Sequence, residues 1–171
     1  QLPTSTAWFT PHLNQRPILI TGARGTLGGA FARLCEKRGL DFILLTRQQM
    51  DIGDFASVHD ALLAYKPWAV VNAAGYVKVD GAEEDPILCH RENTMGPKNL
   101  ALACQELKIL FLTFSSDLVF DGNRTEPYAE RHPTAPINIY GISKAQAEKD
   151  VLKINENSLI IRTSSFFGPW D

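Results

Sequence analysis

Residues 17–29 read PILITGARGTLGG and decide the fold of this chain. The short apolar run over 17–21 predicts a strand that is buried on both faces, as in a parallel sheet. Three glycines spaced three residues apart follow it, and apolar residues then recur at helical spacing from Thr26 to Arg38, where Gly39 stops the pattern. A strand, a glycine turn and a helix in this order are typical of a dinucleotide-binding unit.

Each glycine of the turn has its own expected role. Gly22 would allow the tight turn, Gly25 would let the backbone approach a pyrophosphate, and Gly28 would let the helix pack closely against the strand. The N–H groups and the positive dipole end of the helix would face the phosphates. A glycine-rich turn without a ligand is the alternative, but the flanking strand and helix favour a binding site. The predicted cofactor-binding residues of this turn are Gly22, Arg24, Gly25, Thr26, Leu27 and Gly28.

Strand and helix patterns alternate along the rest of the chain. Further strands are predicted over 42–45, 68–72, 109–114 and 158–162, and further helices over 55–65, about 86–107 and about 140–153. This alternation predicts an α/β fold, a Rossmann-type doubly wound parallel sheet with helices on both faces and ligand sites at the carboxyl ends of its strands. Residues 1–16 lack periodicity and are predicted to be a linker or N-terminal arm, so the domain covers 17–171.

The composition excludes several classes of function. With 171 residues, 44% of them hydrophobic and 21% charged, the chain is predicted to form one globular domain. The formal net charge of −2 leaves no basic excess, so we expect neither a nucleic acid nor a membrane as a partner. The sequence shows no apolar run of about 18–20 residues and no signal-peptide pattern, which indicates a cytoplasmic protein. Because the three cysteines lack CxxC spacing and the four histidines are scattered, we expect buried, reduced cysteines and no metal site.

The end of the second predicted strand indicates which dinucleotide binds. NAD-binding units carry an acid there for the ribose 2′-hydroxyl, whereas this chain has Arg47. Arg47, with Arg24 as a second partner, would pair with a 2′-phosphate, so NADP(H) is preferred and NAD(H) is the second candidate. Asp51, followed by Ile52, is expected at the next strand end, where it would reach the adenine amino group. The alternative role for Asp51, capping the next helix, suits Asp54 better.

A second turn of small residues follows the strand predicted over 68–72. Asn72, Ala73, Ala74 and Gly75 leave space where a strand must end against a flat ligand, and Gly75 can adopt dihedral angles that other residues avoid. We therefore expect these four residues to form the floor of the cofactor site.

Two further segments point to catalysis. Tyr140 and Lys144 lie four residues apart at the start of a predicted helix, so they share one helix face. Lys144 would place a positive charge beside the phenol, favour the phenolate and lower the pKa of Tyr140 for acid–base work. Ser116, at the end of the strand predicted over 109–114, could donate a hydrogen bond to the same substrate oxygen. The Tyr-x-x-x-Lys spacing alone is a weak signal, but after this glycine turn it indicates a reduction site.

The chain from Pro17 to its end resembles the extended short-chain dehydrogenase/reductases, and within them the dTDP-4-dehydrorhamnose reductase branch. Several strings carry the resemblance, of which the Asp-x-Val-Phe-Asp-Gly string that begins at Asp117 is the most specific. The strings are residues 21–28, Asp51-Ile52, Asn72-Ala73-Ala74, Glu92-Asn93-Thr94-x-Gly96-x-x-Asn99-Leu100, Ser115-Ser116-Asp117-x-Val119-Phe120-Asp121-Gly122 and Tyr140-Gly141-x-x-Lys144.

This resemblance implies an activity, the NADPH-dependent reduction of the 4-keto group of a nucleotide-linked deoxysugar. In this reaction Tyr140 would donate the proton and Ser116 would orient the carbonyl. Lys144 would hold the nicotinamide ribose and adjust the pKa of Tyr140. Two alternatives stay open: a non-catalytic NADP-binding regulatory relative, and an NAD-dependent sugar-nucleotide epimerase or dehydratase. The intact triad disfavours the first alternative, and Arg47 in place of an acid disfavours the second.

The chain departs from the family pattern in two ways. Leu118 stands where the branch commonly has a tyrosine, which affects a contact on the sugar side. The chain also ends soon after the strand predicted over 158–162, whereas family members continue into a smaller C-terminal region that supplies most contacts to the sugar nucleotide. We therefore expect a truncated cofactor domain, inactive by itself, from a parent chain with something fused upstream. Phe166, Phe167 and Trp170 would then be partly uncovered and would favour a homodimer.

Overall fold

A computed structural model of the chain describes residues 16–165 and residue 167. These residues contain a parallel sheet of five strands in the order β2-β1-β3-β4-β5. The strands are β1 Ile18–Thr21, β2 Phe42–Leu45, β3 Ala69–Asn72, β4 Leu110–Ser116 and β5 Leu159–Thr163. All five predicted strands are therefore confirmed, with ends that differ by at most two residues. Apart from its last residue, the predicted arm over 1–16 lies outside the described residues, as does 168–171.

Helices fill the chain between the strands. They are α1 Thr26–Arg38, α2 Phe55–Tyr65, α3 Gly81–Glu84, α4 Pro86–His90, α5 Gly96–Leu107 and α6 Ile139–Ile154. The helices α1 and α2 match the prediction residue for residue, and α6 extends its prediction by one residue at each end. Residues 86–107, which were expected to form a single helix, are helical throughout. A π-helical turn, Arg91–Met95, separates α4 from α5 within this stretch. A 3₁₀ turn, Asp117–Val119, begins the long loop that leads to α6.

Both faces of the sheet are buried against helices. Leu19 packs on one face with Leu62 of α2 and Leu100 of α5. Its neighbour Ile20 packs on the other face with Cys35 of α1. The strands are apolar on both sides because helices exclude water from both sides. The predicted Rossmann-type α/β architecture is therefore confirmed.

The strand order reverses between β1 and β3. From β1 the chain moves to β2 on one side, and it then returns to β3, β4 and β5 on the other side. In open parallel sheets, ligands bind outside the carboxyl ends of the strands at such a reversal. The glycine turn follows β1 and the small-residue turn follows β3, so the two turns singled out in the sequence meet at this point.

The expectation that Asp51 lies at a strand end is wrong. Residues 46–54, between β2 and α2, contain turns and no strand. The carboxylate of Asp51 accepts a hydrogen bond from the N–H of Gly53 (2.9 Å), which turns the chain back instead of letting it pair with the sheet. Asp54 caps α2 by accepting from the N–H of Ala56 (3.0 Å), as expected.

The cysteines and the aromatic residues near the end of the chain were also singled out in the sequence. Cys35, Cys89 and Cys104 are buried and free, as predicted. Phe167 is exposed, whereas Phe166 and Trp170 lie outside the described residues. None of the helices within 16–165 is long and apolar enough to cross a membrane. In the same range, no three His, Cys, Asp or Glu side chains are grouped so that they could hold a metal ion.

Two glycines of the first turn lie in contacts that leave no space for a side chain. Gly22 has φ +78°, and a Cβ built on it would lie 2.5 Å from the carbonyl oxygen of Ala73. A Cβ built on Gly28 would lie 2.3 Å from the carbonyl oxygen of Gly22. The turn therefore packs backbone to backbone against α1 and against the end of β3, which confirms the expected tight turn and close helix packing.

Gly28→Ala should destabilise the chain by about 1–3 kcal/mol, because its methyl group would meet backbone atoms that can move only if α1 shifts. Gly29→Ala is the matched control on the same helix, since a Cβ there would lie 3.3 Å from the flexible guanidinium of Arg33. Alanine in place of a helical glycine gains about 0.5–1 kcal/mol, so the control should be neutral or stabilising. Urea denaturation followed by circular dichroism measures both changes, and equal stability of the two variants would contradict the packing assigned to Gly28.

Candidate functional site

Two cavities adjoin at the carboxyl ends of the strands. The α6 cavity, with a volume of about 490 Å³, lies between the end of β4 and the start of α6 and includes Ser116, Tyr140 and Lys144. The β2 cavity, about 570 Å³, lies between the end of β2 and the glycine turn and includes Arg24 and Arg47. The residues shared by both cavities are Gly25, Ala73, Ala74, Gly75 and Val77. An elongated ligand can therefore extend from one cavity to the other past the glycine turn.

Nearly all residues predicted from the sequence line one of these cavities. Besides those already named, the predicted residues in the walls are Gly22, Thr26, Leu27, Ile52 and Asn72. Gly28 and Asp51 are the two predicted residues that line neither cavity. Gly28 is buried where α1 packs on the turn, and the carboxylate of Asp51 is held by Arg91. The structure thus brings together a set of residues that the sequence spreads over more than half of the chain.

A buried chain of hydrogen bonds joins the ends of β1 and β3 to the middle of β4. The hydroxyl of Thr21 donates to the side-chain oxygen of Asn72 (2.7 Å), and the amide of Asn72 donates to the hydroxyl of Thr113 (3.1 Å). The N–H of Ala74 donates to the hydroxyl of Thr21 (3.0 Å). The three side chains are buried, so water does not compete for these bonds, which fix the floor that the cavities share. The small-residue turn predicts that Asn72 lies in this floor, whereas the signal for the two threonines is only a polar residue within an otherwise apolar strand.

The turn before α1 fits the pyrophosphate of a dinucleotide. Gly25 is the N-cap residue of α1 and has no side chain that could occupy the N–H groups of the first helical turn. It lines both cavities, and a Cβ built on it would have its nearest contact at 3.4 Å, with the carbonyl oxygen of Gly22. The cavity side of Gly25 is therefore open. Ligand oxygens could approach the backbone there, at the positive end of the helix dipole.

The first turn of α6 presents Tyr140 and Lys144 to the α6 cavity. Asn138 caps the helix, because its side-chain oxygen accepts from the N–H of Gly141 (2.6 Å). The ammonium nitrogen of Lys144 lies 5.7 Å from the ring centre of Tyr140, so the two residues share one face as predicted. The same ammonium donates to the backbone carbonyl of Phe114 in β4 (3.3 Å). The helix start and the strand end are thus joined at the cavity wall.

Burial shifts the pKa values of both residues. It lowers the pKa of Lys144 from 10.5 to about 8, because the ammonium group loses hydration. It also raises the pKa of Tyr140 above its ordinary value, and nearby Cys89 and Asp117 add to this rise. The expectation that the pKa of Tyr140 is lowered is therefore wrong for this structure, because the loss of hydration disfavours the phenolate.

Ser116 ends β4 at the wall of the same cavity. Its hydroxyl donates to the carboxylate of Asp117 (3.1 Å) and accepts from the N–H of Leu118 (3.1 Å), so it caps the 3₁₀ turn. Leu118 also lines the α6 cavity, so the departure from the family pattern lies at the site itself. The cavity therefore gathers the three predicted catalytic side chains, an acidic neighbour and an apolar patch.

Asn93, from the π-helical turn, joins the end of β3 to α6. Its fully buried side chain accepts from the N–H of Tyr76 (2.8 Å) and donates to the carbonyl of Tyr76 (3.0 Å) and to the hydroxyl of Ser143 (3.3 Å). Ser143 in turn donates to the carbonyl of Tyr140 (2.6 Å). The segment after the small-residue turn is therefore tied to the turn of α6 that carries Tyr140. No function is predicted for Asn93 from the sequence, and its signal there is an amide within an apolar helical pattern.

A charge cluster lies at the wall of the β2 cavity and consists of Arg47, Asp51, Arg91 and Glu92. The guanidinium of Arg47, whose side chain is 58% exposed, lies 2.7 Å from the carboxylate of Glu92, which is 11% exposed and lines the cavity. Arg91 pairs with Glu92 and with Asp51 (2.7 Å), and it lowers the pKa of Asp51 below the ordinary value. Arg47 thus lies where it was expected but has an acidic partner 45 residues away in sequence, which no local pattern could reveal. The carboxylate of Asp51 is paired with Arg91, and its contact with the adenine amino group stays a prediction.

Known proteins share this sequence pattern. The model of one protein family, described as the RmlD substrate binding domain, matches residues 16–170. A dTDP-4-dehydrorhamnose reductase from Streptomyces griseus is 39% identical to this chain over 151 residues, which make up 88% of this chain and 50% of that protein. The chain spans about half the length of the curated relatives it matches.

Solved structures share the fold. A dTDP-4-dehydrorhamnose reductase from Bacillus anthracis in complex with NADP has a TM-score of 0.88 at 33% identity, and the match covers 92% of this chain and 56% of that chain. A UDP-glucose 4-epimerase from Brucella ovis in complex with NAD has a TM-score of 0.76 at 23% identity, and the match covers 88% of this chain and 52% of that chain. At that identity the second likeness shows the fold alone.

Lys144→Met should gain stability relative to the wild type at pH 7 and lose this gain toward pH 9.5. The pKa of Lys144 is about 8 in the folded chain and 10.5 without burial, so between these values the unfolded chain binds more protons and wild-type stability rises with pH. Below pH 8 the charged ammonium is buried at full cost, which methionine removes. We expect the gain to differ between the two pH values by on the order of 1 kcal/mol, measured by urea unfolding.

Lys149→Met, at an exposed position of the same helix, controls for the loss of one positive charge. A gain for Lys144→Met that is equal at pH 7 and pH 9.5 would contradict the burial assigned to the ammonium group.

Proposed function

We propose, because this chain belongs to the RmlD substrate binding domain family, that the whole protein uses NADPH to reduce the 4-keto group of a nucleotide-linked deoxysugar. The observation that carries the proposal is the α6 cavity, which Ser116, Tyr140 and Lys144 line together with the glycine turn. The names of the Streptomyces griseus and Bacillus anthracis relatives support the dTDP-sugar substrate, and the NADP bound to the latter supports the cofactor. Because the chain spans about half of such relatives, the activity is proposed for the whole protein.

The two cavities fit a nicotinamide dinucleotide that extends across the glycine turn. The backbone at Gly25 and the N-terminus of α1 would hold the pyrophosphate. Arg24 and Arg47 would bind the 2′-phosphate in the β2 cavity, where Ile52 offers an apolar surface to the adenine. Lys144 would bind the ribose hydroxyls of the nicotinamide half in the α6 cavity. When bound, NADPH supplies the hydride for the reduction.

The chain's own residues would supply the proton and stabilise charge. The hydroxyl of Tyr140 would donate to the keto oxygen as the hydride reaches the carbonyl carbon, so its O–H bond breaks, the O–H bond of the alcohol forms, and a phenolate is left. The ammonium of Lys144 would stabilise that phenolate. Ser116 would turn its hydroxyl from Asp117 to the same substrate oxygen. The raised pKa of Tyr140 suits this role, because the phenol is then protonated and available as an acid at neutral pH.

Leu118 bears on how the sugar would be held. Its side chain lines the α6 cavity, where the family branch commonly has a tyrosine. Leucine offers van der Waals contact but no hydrogen bond, so a hydroxyl that a tyrosine would bind has no partner at this position. We infer that the sugar of this protein is held there through its apolar surface, which suits the methyl group of a deoxysugar.

In the whole protein, Tyr140→Phe should lower kcat for reduction of a dTDP-4-keto-6-deoxy sugar by about 10²–10⁴-fold, since the general acid is lost. Its Kd for NADPH should stay within about threefold of the wild type, because the phenol acts on the substrate oxygen. Lys144→Met should weaken both kcat and NADPH binding. Oxidation of NADPH measures turnover, and isothermal titration measures binding.

Tyr65→Phe removes a phenol at the end of α2, outside both cavities, and serves as the control with wild-type turnover. Turnover by Tyr140→Phe close to that of the wild type would contradict the proton-donor role. In that case the residues of the α6 cavity would fit a non-catalytic dinucleotide-binding protein better.

The double variant Arg24→Ala/Arg47→Ala should weaken NADPH binding by about 1–3 kcal/mol, the loss expected for charge-assisted hydrogen bonds. NADH binding should change by less than about twofold, because NADH lacks the 2′-phosphate. Lys37→Ala/Arg38→Ala, at the far end of α1, removes the same charge from an exposed surface and is the matched control. Titration of the 171-residue chain with both nucleotides measures the effect, and equal losses for NADPH and NADH would contradict phosphate recognition by these arginines.

A further inference from the structure

The β2 cavity carries a carboxylate where the proposed phosphate site needs positive charge. Glu92 lines this cavity together with Arg24 and Arg47. Its carboxylate lies 2.7 Å from the guanidinium of Arg47, and its side chain is only 11% exposed. Glu92 is therefore part of the cavity wall and not a solvated surface acid.

Glu92 is held in place more firmly than Arg47. Arg91 pairs with Glu92 within the same π-helical turn and is itself anchored by Asp51 at 2.7 Å. Gly53 leaves space for Arg91, since a Cβ at this glycine would lie 2.4 Å from the guanidinium carbon. The side chain of Arg47 is more than half exposed and can turn about its own bonds. In this pair the carboxylate is the fixed member and the guanidinium is the movable one.

The two nicotinamide dinucleotides would meet this pair differently. A ribose 2′-phosphate carries up to two negative charges, so it would compete with Glu92 for Arg47 and be repelled by the carboxylate at short range. A ribose 2′-hydroxyl is a hydrogen-bond donor, and an acid near the end of the second strand accepts from it in NAD-binding Rossmann units. In this chain the acid in the cavity wall near the end of β2 is Glu92, from the π-helical turn. Asp51 lies 3.7 Å from the Nε of Arg47 but does not line the cavity.

We propose that Glu92 sets the cofactor preference of this chain by competing with the 2′-phosphate of NADP(H) for Arg47 and by accepting a hydrogen bond from the 2′-hydroxyl of NAD(H). The inference rests on the proposed dinucleotide binding. We therefore expect a moderate preference for NADP(H), because Arg24 and Arg47 favour the 2′-phosphate and Glu92 opposes its binding. If Glu92 only stabilised the fold through Arg91, its replacement would change stability and leave the ratio of the two affinities unchanged.

Glu92→Gln tests the proposal because it keeps the size of the side chain and removes its charge. Isothermal titration of the 171-residue chain with NADPH and with NADH should give an affinity ratio, NADPH over NADH, that rises about three- to tenfold over the wild type. Tighter NADPH binding and weaker NADH binding should both contribute to this rise. Glu36→Gln removes the same charge at an exposed position of α1 and should leave the ratio within about twofold of the wild type.

Glu92→Asp is a second test of the proposal in case Glu92→Gln does not fold. It keeps the charge but withdraws the carboxylate from Arg47 by one methylene, so the ratio should rise by a smaller factor. Circular dichroism and thermal melting identify which variants keep the wild-type fold. An unchanged ratio in the folded variants overturns the proposal for Glu92 and leaves the dinucleotide site intact. A wild-type chain that binds neither nucleotide overturns the proposed function and, with it, this inference.

Discussion

The buried hydrogen bond between the side chains of Thr21 and Asn72 is the constraint on which the rest of the site depends. It joins the ends of β1 and β3 where the strand order reverses, and Thr113 extends it to β4. Breaking it would leave buried polar atoms without partners, which costs roughly 1–3 kcal/mol for each atom. Because these strand ends cannot slide past each other, the glycine turn and the small-residue turn keep the contact between Gly22 and Ala73 that closes the floor of both cavities.

The two cavities handle charge in opposite ways. In the α6 cavity, burial favours the neutral forms of Tyr140 and Lys144, because it raises the pKa of Tyr140 and lowers the pKa of Lys144 to about 8. At the wall of the β2 cavity, Arg47 and Arg91 are paired with Glu92 and with Asp51 behind it. A ligand at the α6 end therefore meets ionisable groups whose neutral forms are favoured, whereas a ligand at the β2 end meets charges that are already paired and must compete for them.

Much of this architecture could be predicted from the sequence because it depends on local patterns. Apolar runs and helical spacing gave the strands and the helices α1 and α2, and the glycine spacing predicted the packing that Gly22 and Gly28 make. Where a prediction failed, a competing interaction was stronger: the turn made by Asp51 and Gly53 replaced a strand, and burial reversed the expected direction of the pKa of Tyr140. Long-range pairings such as Arg47 with Glu92 have no signature in the sequence, because only the fold brings their elements together.

The π-helical turn has a consequence for how this stretch of chain can change in evolution. A regular helix rotates by about 100° per residue, and a π-helical turn absorbs one residue more than an α-helical turn. Loss of a single codon within Arg91–Met95 would therefore turn the π-helical turn into an α-helical one and keep α4 and α5 in register, while Glu92 and Asn93, which lie inside the turn, would lose their present placement. A one-residue deletion in this turn thus preserves the flanking helices but removes the contacts that Glu92 and Asn93 make. An alignment with a relative whose helix is regular must place a one-residue gap in this turn, or every position on one side of it is compared with the wrong neighbour.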